Sequence, residues 1–186
     1  MLTSNAHKKG DNLWDACRDG DLATVQSLVD EDAGLVRALD TGPDSGMPLH
    51  LAAGSGHQDV VRYLVEKGAE INALDAGSET PLHCAAVWGH ENVVCCLVEK
   101  GAGIDAGDHD RRTPLHHAAW HGHPNIVAFL VDKGAEVNAT NVSRSTPLHL
   151  AAIRGDKEMV SYLVAKGANI DALDGRHRTP LHLAAG

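Results

Sequence analysis

The sequence predicts an all-α solenoid, in which helix-turn-helix units with turn or hairpin fingers are stacked in a row. The main observation is a phrase with a period of 33 residues: MPLH begins at Met47, and TPLH begins at Thr80, Thr113, Thr146 and Thr179. The second observation is that the residues after each phrase also recur, so most of the chain consists of copies of one repeat unit. A fixed period of this size is typical of stacked repeats, in which each unit contacts its neighbours.

The first helix of each unit is predicted to begin at the phrase itself. A threonine hydroxyl can cap the free N–H groups of a helix start, and proline at the first helical position loses no hydrogen bond. Two alanines follow in every copy. In the first four copies a glycine such as Gly89 then supplies the left-handed turn that ends a helix.

The second helix is predicted from branched residues and leucines at helical spacing, such as Val93, Val94 and Leu97. It ends at a recurring Gly-Ala pair, for example at Gly101. The segment from this pair to the next phrase is rich in Gly, Asp, Asn and Ser, as in DAGSE at 75–79, and predicts an exposed turn or hairpin. Each unit is thus expected to be two short antiparallel helices and a finger.

Packing between units is predicted to rest on small and aliphatic side chains. The alanine pairs let adjacent first helices lie close together, while valines and leucines of the second helices fill the space between layers. Phe129 is the sole phenylalanine, so a large aromatic core is excluded. Function is therefore expected on the outside of the stack.

The phrase TPLHLAA at Thr146–Ala152 and the segment GAEINA at Gly68–Ala73 resemble ankyrin repeats. The opening LWDACRDGDLATVQSLV at 13–29 follows the helical pattern without Thr-Pro, which is typical of an N-terminal capping repeat. The resemblance implies an ankyrin-repeat α-solenoid that forms a single domain over 12–186. Its expected parts are a flexible segment 1–11, the capping repeat 12–40, full repeats 41–74, 75–107, 108–140 and 141–173, and a truncated half repeat 174–186.

Two departures from the repeat carry expectations of their own. Met47 stands where the other copies have the capping threonine, and the loop DTGPDSG before it is two residues longer than DAGSE, so the first finger is expected to differ. The last unit has one helix and no second helix, which leaves an apolar face uncovered. We therefore expect that the sequence is cut from a longer protein, or that self-association, an additional domain or another partner covers this end.

The net charge of −9 is unevenly distributed along the chain. Residues 1–105 carry 7 basic and 17 acidic side chains, whereas residues 106–186 carry 9 and 8. An acidic body argues against nucleic-acid binding, because that affinity comes from clustered Lys and Arg. The expected partner is a protein or peptide.

Membrane insertion and secretion are not expected. No apolar stretch approaches the roughly eighteen residues of a membrane span, and the opening MLTSNAHKKGDN lacks the apolar core of a secretory signal. Cys17, Cys84, Cys95 and Cys96 follow no disulfide spacing, which favours reduced thiols. We expect a soluble cytoplasmic protein, with a nuclear location as the alternative.

The thirteen histidines raise the question of a metal site, most of all in TPLHHAAWHGH at 113–123. Eight occupy repeated positions, and the resemblance implies that those that end the phrase tie adjacent loops together by hydrogen bonds. His117 and His121 fall outside the pattern and lie four residues apart on one helix face, as a metal site requires. A third ligand is lacking, since HExxH is absent and Cys84 is the only nearby soft candidate, so we expect no metal and no cofactor.

Catalysis is not predicted either. Cys95 and Cys96 diverge on their helix, and no activating base stands in an obvious place beside them. The phosphate-binding motif GxxxxGK[ST] does not occur. A metal-binding or catalytic protein that uses His117 and His121 is the least favoured class, and we expect the chain not to be an enzyme.

Partner recognition is expected at positions that differ between units. The resemblance to ankyrin repeats implies that partners contact the finger tips and the exposed end of each first helix, which line a concave groove. At the helix ends these positions are Val87, Trp88, Trp120, His121, Ile153 and Arg154. At the finger tips they are Glu79, His109, Asp110, Arg112, Ser143, Ser145, Arg176 and Arg178.

Trp88 and Trp120 are expected to anchor the interface, because tryptophan is enriched where binding energy is concentrated. The alternative is that both indoles pack on neighbouring loops. Trp14, in the phrase-ending position of the capping unit, is expected to be a packing residue. The finger charges run from acidic to basic along the chain, which would complement a partner segment with an apolar centre and an acidic end.

The resemblance also implies a modification. Asn72 and Asn138 resemble asparagines of ankyrin repeats that an asparaginyl hydroxylase modifies. The alternative is that each asparagine forms hydrogen bonds within its hairpin, which is the simpler role.

The sequence thus predicts a noncatalytic scaffold that binds a partner protein or peptide. The alternative is a targeting or substrate-recruitment module cut from a larger enzyme or effector, and the full-length coding sequence would distinguish the two.

Overall fold

A computed structural model describes residues 12–37 and 46–184 of the chain. The chain forms two compact units, Met1–Ala102 (unit 1) and Gly103–Gly186 (unit 2). The predicted flexible segment 1–11 and most of the predicted first finger, at 40–46, lie outside the described residues. The predicted repeat boundaries, and the assembly of the repeats into a single domain, stay predictions.

Unit 1 is built from helix pairs. Its described helices are α1 (12–19), α2 (Leu22–Glu31), α3 (Pro48–Gly54), α4 (Gln58–Glu66), α5 (Pro81–Trp88) and α6 (Glu91–Glu99), with a 3-10 helix at Ala33–Arg37. Helix α3 packs on α4 and α5, and α4 packs on α6. First helices therefore stack on first helices and second helices on second helices.

Unit 2 repeats this arrangement. Its helices are α7 (Pro114–His121), α8 (Pro124–Asp132), α9 (Pro147–Arg154), α10 (Lys157–Ala165) and α11 (Pro180–Ala184). Helix α9 packs against α7, α10 and α11. Since residues 12–37 and 46–184 contain no strand, the fingers are turns. The predicted all-α stack of helix pairs is confirmed.

The core of both units consists of alanine, valine and leucine side chains. The alanine pairs of α3, α5, α7 and α9 are at most 4% exposed, so adjacent first helices can lie close together. The leucines of the second helices, Leu64, Leu97, Leu130 and Leu163, are fully buried. Burial of one such leucine stabilises the fold by about 1.5–3 kcal/mol.

First helices begin with hydrogen bonds between the N-cap residue and the phrase-ending histidine. The Thr80 N–H donates to Nδ1 of His83 at 3.0 Å. The same bond, at 3.1 Å, joins Thr113 to His116 and Thr146 to His149. A ring nitrogen that accepts an N–H carries no proton, so the proton of each neutral ring lies on Nε2.

The Nε2–H group of these rings donates to the finger that follows. Nε2 of His50 lies 3.0 Å from the carbonyl oxygens of both Ala73 and Glu79. In unit 2, Nε2 of His116 donates to the Ser145 carbonyl and Nε2 of His149 to the Arg178 carbonyl, both at 3.1 Å. These rings tie a helix start to the next finger, in keeping with the loop-tying role that the resemblance implied.

The first side chain of each finger holds its turn. Oδ1 of Asp75 accepts the N–H groups of Gly77 and Glu79, both at 2.8 Å, while Ser78 adopts a left-handed φ of 56°. Asp108, Asn141 and Asp174 each accept the N–H four residues further on, at 2.7 to 2.9 Å. The sequence analysis did not predict this shared role. The signal was present, because the four residues are spaced by 33.

Burial keeps two of these linking histidines, His50 and His116, neutral. It lowers the pKa of His50 below its ordinary value and the pKa of His116 to about 4. A protonated ring could not accept the N–H of the N-cap residue at Nδ1. Protonation would therefore break the link between the helix start and the ring.

Helix α3 shows what the missing threonine removes. The N–H of Met47 still donates to Nδ1 of His50, at 3.2 Å, but no side-chain oxygen of Met47 caps the helix. We expect Met47→Thr to raise the free energy of unfolding by about 1 kcal/mol relative to Met47→Val, because only threonine supplies a hydroxyl acceptor. Urea denaturation measures the difference, and equal stability of these isosteric variants would contradict the capping account.

Acid should destabilise unit 2 through His116. Unfolded His116 titrates near 6.5, whereas folded His116 stays neutral down to about pH 4, so the unfolded state binds more protons in this window. The contribution of neutral His116 to the free energy of unfolding is complete above pH 6.5. It is lost as the pH falls, by about 2 kcal/mol between pH 7 and pH 5.

In the His116→Gln variant, the difference in free energy of unfolding between pH 7 and pH 5 should be smaller than in the wild type by about 2 kcal/mol. Urea denaturation at the two pH values measures this difference. His177→Asn is the matched control, because it removes an exposed imidazole at a left-handed position that asparagine tolerates. The same pH dependence in His116→Gln and the wild type would show that His116 does not carry the effect.

Candidate functional site

An open pocket, the unit 1 pocket, lies between the finger at 75–79 and the C-terminal ends of α3 and α5. Its volume is about 580 Å³. Trp88 forms one wall and is 68% exposed, and its indole edge lies 3.6 Å from where a Cβ of Gly54 would be. Of the predicted contact residues, Glu79 and Trp88 line this pocket, whereas the half-buried Val87 does not.

Two carboxylates and a thiol converge in the unit 1 pocket. One oxygen of Asp75, one oxygen of Glu79 and Sγ of Cys84 lie within 4.8 Å of one another. Burial raises the pKa of the Cys84 thiol, and the negative charges of Glu79 and Asp75 raise it further. The thiol is therefore neutral near pH 7, which makes Cys84 a poor nucleophile and a poor metal ligand.

Unit 2 exposes the second tryptophan. Trp120 at the end of α7 is 46% exposed, and it lines a pocket of about 230 Å³ with His121 and Asn141. Trp120 stands at the repeat position that Gly54 occupies in unit 1. A large side chain therefore fills space that is open in the unit 1 pocket.

His117 is part of the scaffold. It is 6% exposed, and its Nε2–H donates to Oδ2 of Asp108 at 2.9 Å. Burial raises the pKa of Asp108, but hydrogen bonds from the Arg112 N–H and from His117 bring it below its ordinary value. One carboxylate thus holds both the finger and the imidazole.

His121 lies exposed beside two other imidazoles. The centroids of the His117 and His123 rings are each 6.4 Å from the His121 centroid. Burial lowers the pKa of His121, and electrostatic repulsion from the His117 and His123 rings and from Arg154 lowers it further. Within the part of the chain that the structure describes, His121 belongs to no cluster of three metal-ligating side chains.

Arg154 holds the end of the neighbouring first helix. Its Nη1–H donates to the Trp120 carbonyl at 2.9 Å. In unit 1 this role belongs to His90, whose Nε2 lies 2.9 Å from the Gly54 carbonyl. Since Asp156 stands where the three preceding full repeats have His57, His90 and His123, the guanidinium replaces a missing imidazole. Arg154 was predicted as a partner contact, and the structure places it in this structural bond while leaving it exposed.

The fingers of unit 2 are joined through their backbones. The Val142 N–H donates to the Asp110 carbonyl and the Gly175 N–H to the Ser143 carbonyl, both at 2.8 Å. These bonds hold the three finger tips side by side. The side chains of His109, Arg112, Ser143 and Arg176 are exposed at the tips, and those of Asp110, Ser145 and Arg178 are half-buried.

A basic groove, the unit 2 finger groove, lies along these tips with a volume of about 470 Å³. Arg112, Arg176 and Arg178 line it, against one carboxylate, that of Asp174. Burial raises the pKa of Asp174, but hydrogen bonds from Arg178 and Arg176 bring it down to about 2. Arg178 pairs with Asp174 at 2.8 Å, and Arg112 pairs with Asp110 outside the groove lining at 3.2 Å.

Asn138 joins two successive fingers through its side-chain amide. Its Nδ2–H donates to the Gly167 carbonyl at 3.1 Å, and its Oδ1 accepts the Asn169 N–H at 2.8 Å. Asn138 therefore has the hydrogen-bonding role that was the alternative to modification, although its bonds reach the next repeat. Hydroxylation of Asn72 and Asn138 stays a prediction.

The structure groups the predicted contacts on three surfaces. Glu79 and Trp88 meet in the unit 1 pocket, and Arg112, Ser143, Ser145, Arg176 and Arg178 meet in the unit 2 finger groove. Trp120 and His121 line a further pocket of unit 2, which shares Arg112 with the finger groove. Ile153 is 46% exposed and lines none of these three surfaces.

No helix among the described residues has the length and apolar character needed to cross a membrane.

Comparison with known proteins gives matches along nearly the whole chain. The family model "Ankyrin repeats (3 copies)" matches residues 13–108, 74–141 and 138–186. The E3 ubiquitin-protein ligase XBAT32 of Arabidopsis thaliana is 38% identical over 71 residues, which are 38% of this chain and 14% of that protein.

Two further relatives are a kinase and an ankyrin repeat protein. The serine/threonine-protein kinase VIK of Arabidopsis thaliana is 46% identical over 68 residues, covering 37% of this chain and 15% of the kinase. Ankyrin repeat domain-containing protein 49 of Bos taurus is 45% identical over 62 residues, covering 33% of this chain and 25% of that protein. The chain thus spans between 14% and 25% of the length of these relatives.

The contact between Arg154 and α7 gives a prediction for His121. Arg154→Gln should raise the pKa of His121, because it removes a positive charge that opposes protonation of the ring. Titration of the ring protons by NMR measures this pKa. Arg176→Gln serves as the control, since Arg176 is not among the charges that act on His121. A His121 pKa that is unchanged or lower in Arg154→Gln would contradict the electrostatic account.

Proposed function

Since this chain belongs to the ankyrin-repeat family, whose members are generally noncatalytic protein-interaction modules, we propose that it is a noncatalytic scaffold that binds a protein or peptide. The partner contacts the finger tips and the ends of the first helices in each unit. The observation that carries this proposal is the exposure of one tryptophan per unit at the end of a first helix, 68% for Trp88 and 46% for Trp120. Exposed tryptophans supply large contact areas at protein interfaces.

The surface chemistry of unit 2 supports a partner with an acidic segment. Three guanidinium groups and one carboxylate line the unit 2 finger groove. Arg178 pairs with Asp174 and Arg112 with Asp110, so the three guanidinium groups exceed these two carboxylates by one positive charge. An acidic segment that extends from an apolar part seated on Trp120 complements this arrangement.

A second candidate function is that of a targeting or substrate-recruitment module within a larger protein. The observation that favours it is that the ligase and the kinase match this chain over only 14% and 15% of their length. In that case the repeats select the protein on which another part of the molecule acts. The full-length coding sequence distinguishes this function from that of a free-standing scaffold.

We propose a cytoplasmic location, with the nucleus as the alternative. Cys17, Cys84, Cys95 and Cys96 form no disulfide, which supports a reducing compartment. Fractionation of cells with an antibody against the chain tests this location, and recovery in the secreted fraction would overturn it.

The interaction is tested by replacing both tryptophans. In affinity capture followed by quantitative mass spectrometry, Trp88→Ala with Trp120→Ala should reduce recovery of the specific partner at least about tenfold, as expected when two interface anchors are lost. The melting temperature should change little, because both indoles are exposed.

A matched control removes one aromatic ring per unit from the second helices instead. Tyr63 and Tyr162 bond to Asp30 and Asp132 there, at 3.1 and 3.2 Å, and neither lines the candidate surfaces. Tyr63→Ala with Tyr162→Ala should keep the partner. Equal recovery by the double tryptophan variant and the wild type would reject the proposed surface.

A further inference from the structure

The unit 1 pocket is open because Gly54 has no side chain. The pocket two repeats further along, lined by Trp120 at the position equivalent to Gly54, has about 230 Å³ in place of about 580 Å³. A Cβ at Gly54 would make ordinary contacts, at 3.6 Å or more from Trp88 and Cys84. Steric crowding therefore does not require glycine at position 54. Because glycine has no side chain, the pocket has room for a group from another molecule.

The charge inside the unit 1 pocket is negative. The carboxylates of Asp75 and Glu79 come within 4.8 Å of each other, and none of the residues that line the pocket is a lysine or an arginine. The one imidazole in the lining, that of His50, accepts the Met47 N–H at Nδ1 and is neutral. The equivalent pocket in unit 2 has Asn141 and Ser145 at the positions of the two acids, so the acidic pair is specific to unit 1.

Unit 2 shows which chemical group fits against this carboxylate. Asp108 and His117 stand 33 residues after Asp75 and Cys84, and the ring N–H of His117 donates to Asp108 at 2.9 Å. The smaller thiol of Cys84 supplies no such N–H in unit 1. The unit 1 pocket thus has the carboxylate of this pair together with space where unit 2 carries a nitrogen donor.

We propose that the unit 1 pocket binds an arginine side chain presented by the partner. The guanidinium group donates to the carboxylates of Asp75 and Glu79, and its face or its aliphatic stem stacks on Trp88. Arginine fits better than lysine, because its planar fork of N–H groups can serve two acceptors and stack on an indole at once. This inference rests on the proposed function and specifies what the partner presents to unit 1.

The probe for this inference is the tripeptide N-acetyl-Gly-Arg-Gly-amide, added to the full chain at low ionic strength. Its binding should shift the NMR signal of the Trp88 indole N–H in a saturable way. The citrulline peptide, which has the same shape without the charge, should bind at least about tenfold more weakly, and the lysine peptide should also bind more weakly. Equal binding of the citrulline or lysine peptide would overturn the assignment to a guanidinium group.

Two sets of variants locate the site. Asp75→Asn with Glu79→Gln should weaken binding of the arginine peptide at least about tenfold, while asparagine keeps the turn as Asn141 does in unit 2. Asp59→Asn with Glu70→Gln removes the same number of charges at exposed positions and should have little effect.

Filling the pocket provides an independent check. Gly54→Ile should abolish binding without unfolding the chain, because Ile153 occupies the equivalent position of α9, whereas Gly54→Ala should retain it. Unchanged binding in Gly54→Ile or in the Asp75/Glu79 variant would overturn the proposal.

Addition of EDTA distinguishes a guanidinium group from a metal ion at the two carboxylates. Binding of the arginine peptide should be unaffected by EDTA, and its loss in EDTA would mean that a metal ion, rather than the guanidinium, meets the carboxylates. Failure of the tripeptide to bind, with partner capture still dependent on the tryptophans, would reject the arginine site and leave the proposed function standing.

Discussion

The structure depends on a neutral histidine that joins the start of a first helix to the finger of the next repeat. His50, His116 and His149 each accept the N–H of the N-cap residue at Nδ1 and donate from Nε2 to a finger carbonyl. Only one neutral tautomer satisfies both bonds. The finger is held from its other side by an Asp or Asn at its first position, so helix start, finger and next repeat are fixed together.

This constraint separates the positions that build the fold from those that remain for recognition. In the first four copies the phrase, the alanine pairs, the turn formers and the leucines are buried or bonded within the chain. The residues at the end of each first helix and at the finger tips differ from repeat to repeat. There the two units differ in chemistry, since unit 1 combines Trp88 with two acids and unit 2 combines Trp120 with arginines.

The period of the sequence was sufficient to predict the helices, because the Thr-Pro phrase contains its own cap and start signal. The resemblance to ankyrin repeats placed Trp88 and Trp120 at the exposed ends of first helices, and both side chains are exposed. The period did not reveal that Arg154 replaces a histidine, because the residue that compensates lies two positions before the substituted one and acts through a side chain of different length. The convergence of Asp75, Glu79 and Cys84 was not predicted either. Asp75 and Glu79 lie in a finger and Cys84 lies in α5, and the period does not specify the geometry of the turn between them.

The tautomer of the linking histidines is the most direct test of this account. Long-range proton–nitrogen NMR spectra of the histidine rings at pH 6 distinguish a protonated ring nitrogen from an unprotonated one. For His50 and His116 the account predicts an unprotonated Nδ1 and a protonated Nε2, in keeping with the burial that lowers the pKa of both. The opposite tautomer, or a ring protonated on both nitrogens at that pH, would contradict it.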